Sequence, residues 1–269
     1  MGFVKTEAEL GRIQRLLSAP RWTGEWLAVR FTTEPETVDC LLPPPLEPGP
    51  EPLATATIGR WQSNALGDFA GGVLNLSARH DGVDGWYVLA MYMDAEPPLT
   101  FGREVFGEPK KLAKSGLFRD SNRVHAWIER HGCRLIDLTA DLVEDLGAST
   151  SERHTFNFKA RTDASGWGLE EDAILTRTHF SVQMRSERRG HGTVTLRSGP
   201  HDPLGEVPVL EVRSATLGQD DSVPSCQSVA TIGAATFLPY HYGRQDDWLA
   251  LSSGLHPYAG VGMVRHAEP

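Results

Sequence analysis

Apolar and polar residues alternate in short runs along most of this chain, and a period of two leaves a sheet as the economical way to bury one face. Residues 25–33 (EWLAVRFTT) read this way, as do 53–61 and 85–93 (GWYVLAMYM). Further runs fall at 123–130, 134–139, 154–160, 173–184, 192–197, 207–217 and 228–237. His131-Gly132-Cys133 joins two of them as a hairpin. Strands at this spacing, with Gly and Pro between them, predict a β-rich sandwich or barrel. Helical period appears at 7–17, where Leu10, Ile13, Leu16 and Leu17 share a face. A second short helix is expected at 35–42, with Pro35 in its first turn and Pro43-Pro44-Pro45 ending it. The 269 residues suit one large β-rich domain, 1–269, with two small domains as the alternative. After Ser252 an irregular, exposed tail is expected.

Charge and motif content remove several classes of function. A formal net charge of -9 argues against nucleic acid, which needs a clustered basic surface. The densest basic run, Arg185 to Arg189, contains Glu187 and reads as a solvated hairpin tip. No apolar run is long enough to span a membrane, and the first ten residues lack the apolar centre of a signal peptide. Three cysteines, at 40, 133 and 226, form no metal or disulfide pattern, and a reducing cytoplasm is the default expectation. No phosphate loop, H-E-x-x-H or G-x-S-x-G sequence occurs. His241, flanked by Tyr240 and Tyr242, is the histidine in the most suggestive company.

Chemistry concentrates in residues 91–113 (MYMDAEPPLTFGREVFGEPKKLA). A lysine is a nucleophile only when neutral, and its ordinary pKa is about 10.4. Loss of water and a nearby positive charge each lower that value. Lys110 and Lys111 would supply the charge to each other, and Phe106, Leu112 and Ala113 the dry surroundings. Pro109 fixes the backbone that aims Lys110. Taken alone, two lysines after a proline read more simply as a solvated turn.

The segment as a whole resembles the acetoacetate decarboxylase superfamily. The matching residues are Met91-Tyr92, Asp94, Glu96-Pro97, Gly102-Arg103-Glu104 and Pro109-Lys110-Lys111-Leu112. Weaker similarity covers residues 31–47, 203–212 and 228–239. The resemblance implies a mainly β (α+β) fold, a large antiparallel sheet closed into a cone or barrel with a few peripheral helices. It also implies that Lys110 forms an imine with the carbonyl of a small oxo acid and that Lys111 lies beside it. Lysine activation of this kind is familiar from acetoacetate decarboxylase itself. No metal or organic cofactor is implied, because the protonated imine is the electron sink, and a homo-oligomer is expected.

The remaining site candidates have plainer alternatives. Arg103 and Glu104 are expected to pair and support the lysine loop. Met91, Met93 and Tyr92 are placed as pocket walls or core. Glu108 either moves protons or faces water. The family also has an arginine and two glutamates at the site, and a rough alignment puts Gly24, Thr57 and Gly71 there instead. Glu25, Arg30 and Arg60 are the nearby charges in a position to compensate. Two reactions therefore stay open, decarboxylation of a β-oxo acid and a pyruvate aldolase-dehydratase reaction. In the second, Glu108, Tyr92, Tyr240, His241 and Tyr242 are the acid–base candidates. The aromatic C-terminal cluster would suit a bulkier carbonyl partner. A non-catalytic binding module is the third reading.

Overall fold

Tight turns set the strand order. Asp81-Gly82 and His131-Gly132 both place two successive residues at positive φ (51° and 73°, 52° and 74°). That is the two-residue turn whose twist matches a β-hairpin. The computed structural model describes residues 2–252. Within them the strands are β1 (Trp22–Thr32), β2 (Glu47–Pro48), β3 (Leu53–Ser63), β4 (Gly67–His80), β5 (Val83–Met93), β6 (Lys110–Leu112) and β7 (Lys114–Asp120). They continue as β8 (Arg123–Arg130), β9 (Cys133–Lys159), β10 (Ala173–Leu196), β11 (Ser198–Gly199), β12 (Asp202–Pro203) and β13 (Glu211–Ile232). The helices are α1 (Glu7–Leu17), α2 (Pro35–Leu41), α3 (Glu96–Phe101), α4 (Ala234–Gly243) and α5 (Trp248–Ser252). None is long and apolar enough to cross a membrane.

An eleven-stranded sheet runs β6-β5-β4-β3-β1-β13-β10-β9-β8-β7, with β2 on β4. It is antiparallel except at β5. There β6 pairs in parallel, and so does β9, through Trp86↔Thr155 and Tyr87↔Phe156. The β5–β9 pairing closes β5, β4, β3, β1, β13, β10 and β9 into a ring, so the expected cone or barrel is found with one parallel seam in it, and the sheet is mixed where a wholly antiparallel one was expected. Alternation then gives each strand of the ring two faces. On β1, Leu27, Val29 and Phe31 are fully buried in the core, while Trp22, Trp26, Ala28 and Arg30 face a cavity on the other side. On β3 the core takes Ala54, Ala56 and Ile58, and the cavity takes Thr55, Thr57 and Trp61.

α1 starts where a capping box forms between Thr6 and Glu9, and α2 starts at Pro35 as expected. Several expectations are corrected. Residues 67–80, assigned to no element from the sequence, form β4. The runs at 134–139 and 154–160 fall almost wholly in one strand, β9 (Cys133–Lys159), and those at 173–184 and 192–197 in another, β10 (Ala173–Leu196). The basic run Arg185 to Arg189 lies inside β10 at a bulge against β9 and β13, not at a hairpin tip. There Arg185 pairs with Asp221 and Arg188 donates to Asn122. The run 228–237 leaves its strand at Ile232 and enters α4. The expected tail after Ser252 lies outside the described residues.

Candidate active site

The loop carrying the lysines is built on one glycine. After α3 the chain makes a π-helical turn, Gly102–Phe106, closed by Gly107 in the left-handed region (φ 77°). Gly107 and Glu108 both donate their N–H groups to the Gly102 carbonyl. Such π turns are uncommon and concentrate at functional sites. A Cβ at residue 102 would collide with Glu108 Oε2 and with Lys110 Nζ, so glycine makes room for both side chains.

Register then decides where the two lysines point. In the β5–β6 pair Met91 lies beside Lys110 and Tyr92 beside Lys111. Neighbours in a sheet share a face, so Lys110 follows Met91 into the cavity and Lys111 follows Tyr92 to the opposite face. A bulge in β5 near Leu89 shifts its alternation, which is how Trp86 and Val88, then Met91 and Met93, all line one cavity.

Lys110 and Glu108 are each only 4% exposed, and their charged atoms lie 2.8 Å apart. The amine also donates to the Pro98 carbonyl at 3.0 Å. Arg103 donates to the Lys110 carbonyl at 3.0 Å, which fixes the backbone of the lysine. The expected Arg103–Glu104 contact is replaced by this bond. Glu104 is exposed and lines a second cavity with Arg103, Glu108, His241 and Arg244.

Lys111 belongs to a different structure. Its amine lies 2.9 Å from Asp202 and 3.4 Å from Asp246, and it donates to the carbonyls of His201 and Gln245. Arg130 binds the same two carboxylates at 2.8 Å. Burial would raise the Asp202 carboxyl, but the Lys111 ammonium and the Arg130 guanidinium outweigh it and hold it below its ordinary value. The expectation that Lys111 lends its charge to Lys110 is therefore corrected. Its charge is neutralised on the far side of the strand, and the ionic neighbour of Lys110 is an anion.

Two other candidates also leave the cavity. The Tyr92 hydroxyl is buried and donates to Asp202 at 3.1 Å. Burial, followed by the Asp202 charge, raises it well above its ordinary value, so it stays a neutral phenol. His241 sits on α4, where Thr162 and Gln245 bond its Nε2 at 2.8 and 2.7 Å. Burial, then Arg244 and Arg103, lower its pKa to about 4. Tyr242 bonds the N–H of Gly168 and stacks on Trp167, and Tyr240 packs against Phe237. The C-terminal aromatic cluster thus does not surround Lys110.

The walls come from remote strands. A cavity of about 410 Å³ holds Lys110 and Glu108 against Trp22, Trp26, Trp61, Phe69, Trp86 and Phe180, with Met91 and Met93 beside the lysine. Trp61 and Phe69 stack, and Trp22 touches both Phe106 and Phe180. Of the family positions, Thr57 lines this cavity, and Gly24 and Gly71 offer no side chain to it. Of the three nearby charges only Arg30 reaches the wall, its guanidinium 5.4 Å from the Trp86 ring centre. Arg60 instead donates to the Leu117 carbonyl, and Glu25 accepts from Gln219.

The sequence model described as acetoacetate decarboxylase (ADC) matches residues 6–224. The chain belongs to the acetoacetate decarboxylase family. Family relatives include the acetoacetate decarboxylase of Paraburkholderia phytofirmans, 29% identical over 196 residues that cover 71% of this chain and 77% of the relative. That of Ralstonia nicotianae is 28% identical over 212 residues, 74% of this chain and 85% of the relative. The fold matches the crystal structure of acetoacetate decarboxylase from Legionella pneumophila, with a TM-score of 0.71 and 20% identity over 79% of this chain and 88% of that one. It matches equally the enduracididine biosynthesis enzyme MppR complexed with pyruvate, at a TM-score of 0.70 and 18% identity over 79% and 90% of the two chains.

Proposed function

We propose that this protein is a Schiff-base-forming lyase in which Lys110 condenses with the carbonyl of an oxo acid, and that it releases carbon dioxide from a β-oxo acid. One observation carries this above all, a buried lysine amine facing an aromatic-lined cavity with a carboxylate 2.8 Å from it.

In this mechanism the Lys110 ammonium gives a proton to Glu108, and the free amine attacks the carbonyl carbon. Glu108 returns the proton to the carbinolamine oxygen, which leaves as water, and an iminium forms. The bond to the carboxylate breaks, its electron pair passing to the iminium nitrogen, which yields carbon dioxide and a neutral enamine. A proton taken up from solvent adds to the enamine carbon and restores the iminium, and water hydrolyses it to the ketone and the Lys110 ammonium. Met91 and Met93 act as walls, and Arg103 as the clamp on the lysine backbone.

Glu108 itself favours a second reading, the pyruvate aldolase-dehydratase. A carboxylate beside the iminium is placed to remove a proton from the adjacent carbon, and later to return it to a departing hydroxyl. Incubation with β-oxo acids, and separately with pyruvate plus aldehydes, separates the two. Carbon dioxide release supports the first reading, and a condensed, dehydrated product the second. Neither product, with no borohydride-trapped adduct, would contradict both.

A further inference from the structure

The Lys110 cavity has more room and more aromatic surface than a three- or four-carbon acid needs. Its volume of about 410 Å³ is that of a site for a drug-sized ligand. Four of the seven tryptophans of the chain, Trp22, Trp26, Trp61 and Trp86, line it together with Phe69 and Phe180. Each sits on the cavity face of a ring strand, so the aromatic wall is a product of register, not of chance contact.

Part of the wall is polar, including Ser151, Glu152 and Arg153, and some of its buried polar atoms are unused. Trp22 Nε1, Thr55 Oγ1, Asn75 Oδ1 and Thr155 Oγ1 are buried and have no hydrogen-bond partner among the described residues. Thr55 is only 9% exposed. Buried donors and acceptors normally have partners, and a row of them along a cavity marks where a ligand or water completes the bonds. The cations on the wall besides Lys110 are Arg30, stacked on Trp86, and Arg153, whose guanidinium lies 4.8 Å from the Phe180 ring centre.

Building on the proposed Lys110 imine, we infer that the substrate is an aryl-bearing oxo acid. Its ring packs among Trp22, Trp26, Trp61 and Phe69, its carbonyl meets Lys110, and its carboxylate faces one of the two guanidinium groups. A flat ring offered to such a wall gains both burial and edge or stacked contacts, while a methyl group gains a fraction of the burial.

Two measurements on the full chain test this. Borohydride trapping at Lys110 is compared for phenylpyruvate, indole-3-pyruvate and benzoylacetate against pyruvate and acetoacetate. Tryptophan fluorescence is titrated with indole-3-acetate and phenylacetate, which carry the ring and the carboxylate but no ketone. The expected result is half-maximal trapping of the aryl acids at a concentration at least about tenfold lower than for the small acids, with saturable quenching by the ketone-free acids. Ala28→Leu, which fills the cavity from β1, lowers that preference and weakens the quenching, with folding checked by circular dichroism. Equal or better trapping of pyruvate and acetoacetate would overturn the inference while leaving the imine in place. Quenching without trapping of any acid would support the aryl cavity and remove the imine. Absence of both aryl trapping and quenching overturns the inference.

Discussion

Lys110 and Lys111 are neighbours in sequence and lie on opposite faces of one short strand, one amine 2.8 Å from Glu108 and the other 2.9 Å from Asp202. The pair therefore divides two tasks. Lys110 faces an aromatic-lined cavity, and Lys111 fastens β6 to β12 and to the segment between α4 and α5.

Removing the fastening costs stability. Lys111→Met leaves Asp202, 2% exposed at its side chain, with Arg130 as its remaining ionic partner. Loss of one member of a buried ion network should lower stability by about 2–4 kcal/mol, measured by urea unfolding. The variant should still trap an oxo acid on Lys110 at low temperature, where it is folded.

Glu108→Gln keeps the shape of the side chain and removes the proton acceptor. General acid–base groups contribute about 10²–10⁴ in rate. Single-exponential adduct formation should therefore slow by about a hundredfold or more, with little change in the concentration of acid needed for half-saturation.

Gly102→Ala tests the space behind the lysine. The added methyl would displace Lys110 Nζ or Glu108 Oε2. Trapping should be lost or greatly slowed although the variant folds. Wild-type trapping rates would contradict the packing of this loop.

Acid stability should change in two stages. His241 titrates near 4 in the folded protein, below its ordinary value of about 6.5. Between those values the unfolded chain binds a proton that the folded chain refuses, so stability is full above about pH 6.5 and falls as pH drops toward 4. Allowing for solvent screening of the ring, the loss should reach about 2 kcal/mol, and His241→Gln should flatten this part of the curve. Asp202 and Asp246 have lowered values, because Lys111 and Arg130 outweigh burial at Asp202 and do the same at Asp246. Their contribution is present above the ordinary carboxyl pKa and is lost as pH falls below about 4.

What was legible in the sequence follows from range. Strands β1, β3, β5 and β8 alternate against a packed core, and period two found them. β4 was hidden because Gly67, Gly71 and Gly72 dilute its alternation, although Asp81-Gly82 marks its end. The long strands β9 and β10 were broken into pieces where exposed residues such as 143–146 and 148–150 carry no buried face. Lys110, Glu108 and Arg103 were legible because one short segment holds them. The walls were not, since Trp22, Trp61, Trp86 and Phe180 come from four strands that only the closed ring brings together. Phe106, Leu112 and Ala113 were expected to dry the lysine, yet Leu112 is 55% exposed and the drying surface is that remote aromatic wall. The parity of Trp22, Trp26, Ala28 and Arg30 against Leu27, Val29 and Phe31 was a signal of a second face on β1.

Peptide mapping of borohydride-reduced protein, after incubation with each acid of an oxo-acid panel, tests the central claim most directly. A single adduct is expected, on Lys110 and not on Lys111, and none in Lys110→Arg. An adduct confined to Lys111, or full turnover by Lys110→Arg, would contradict it.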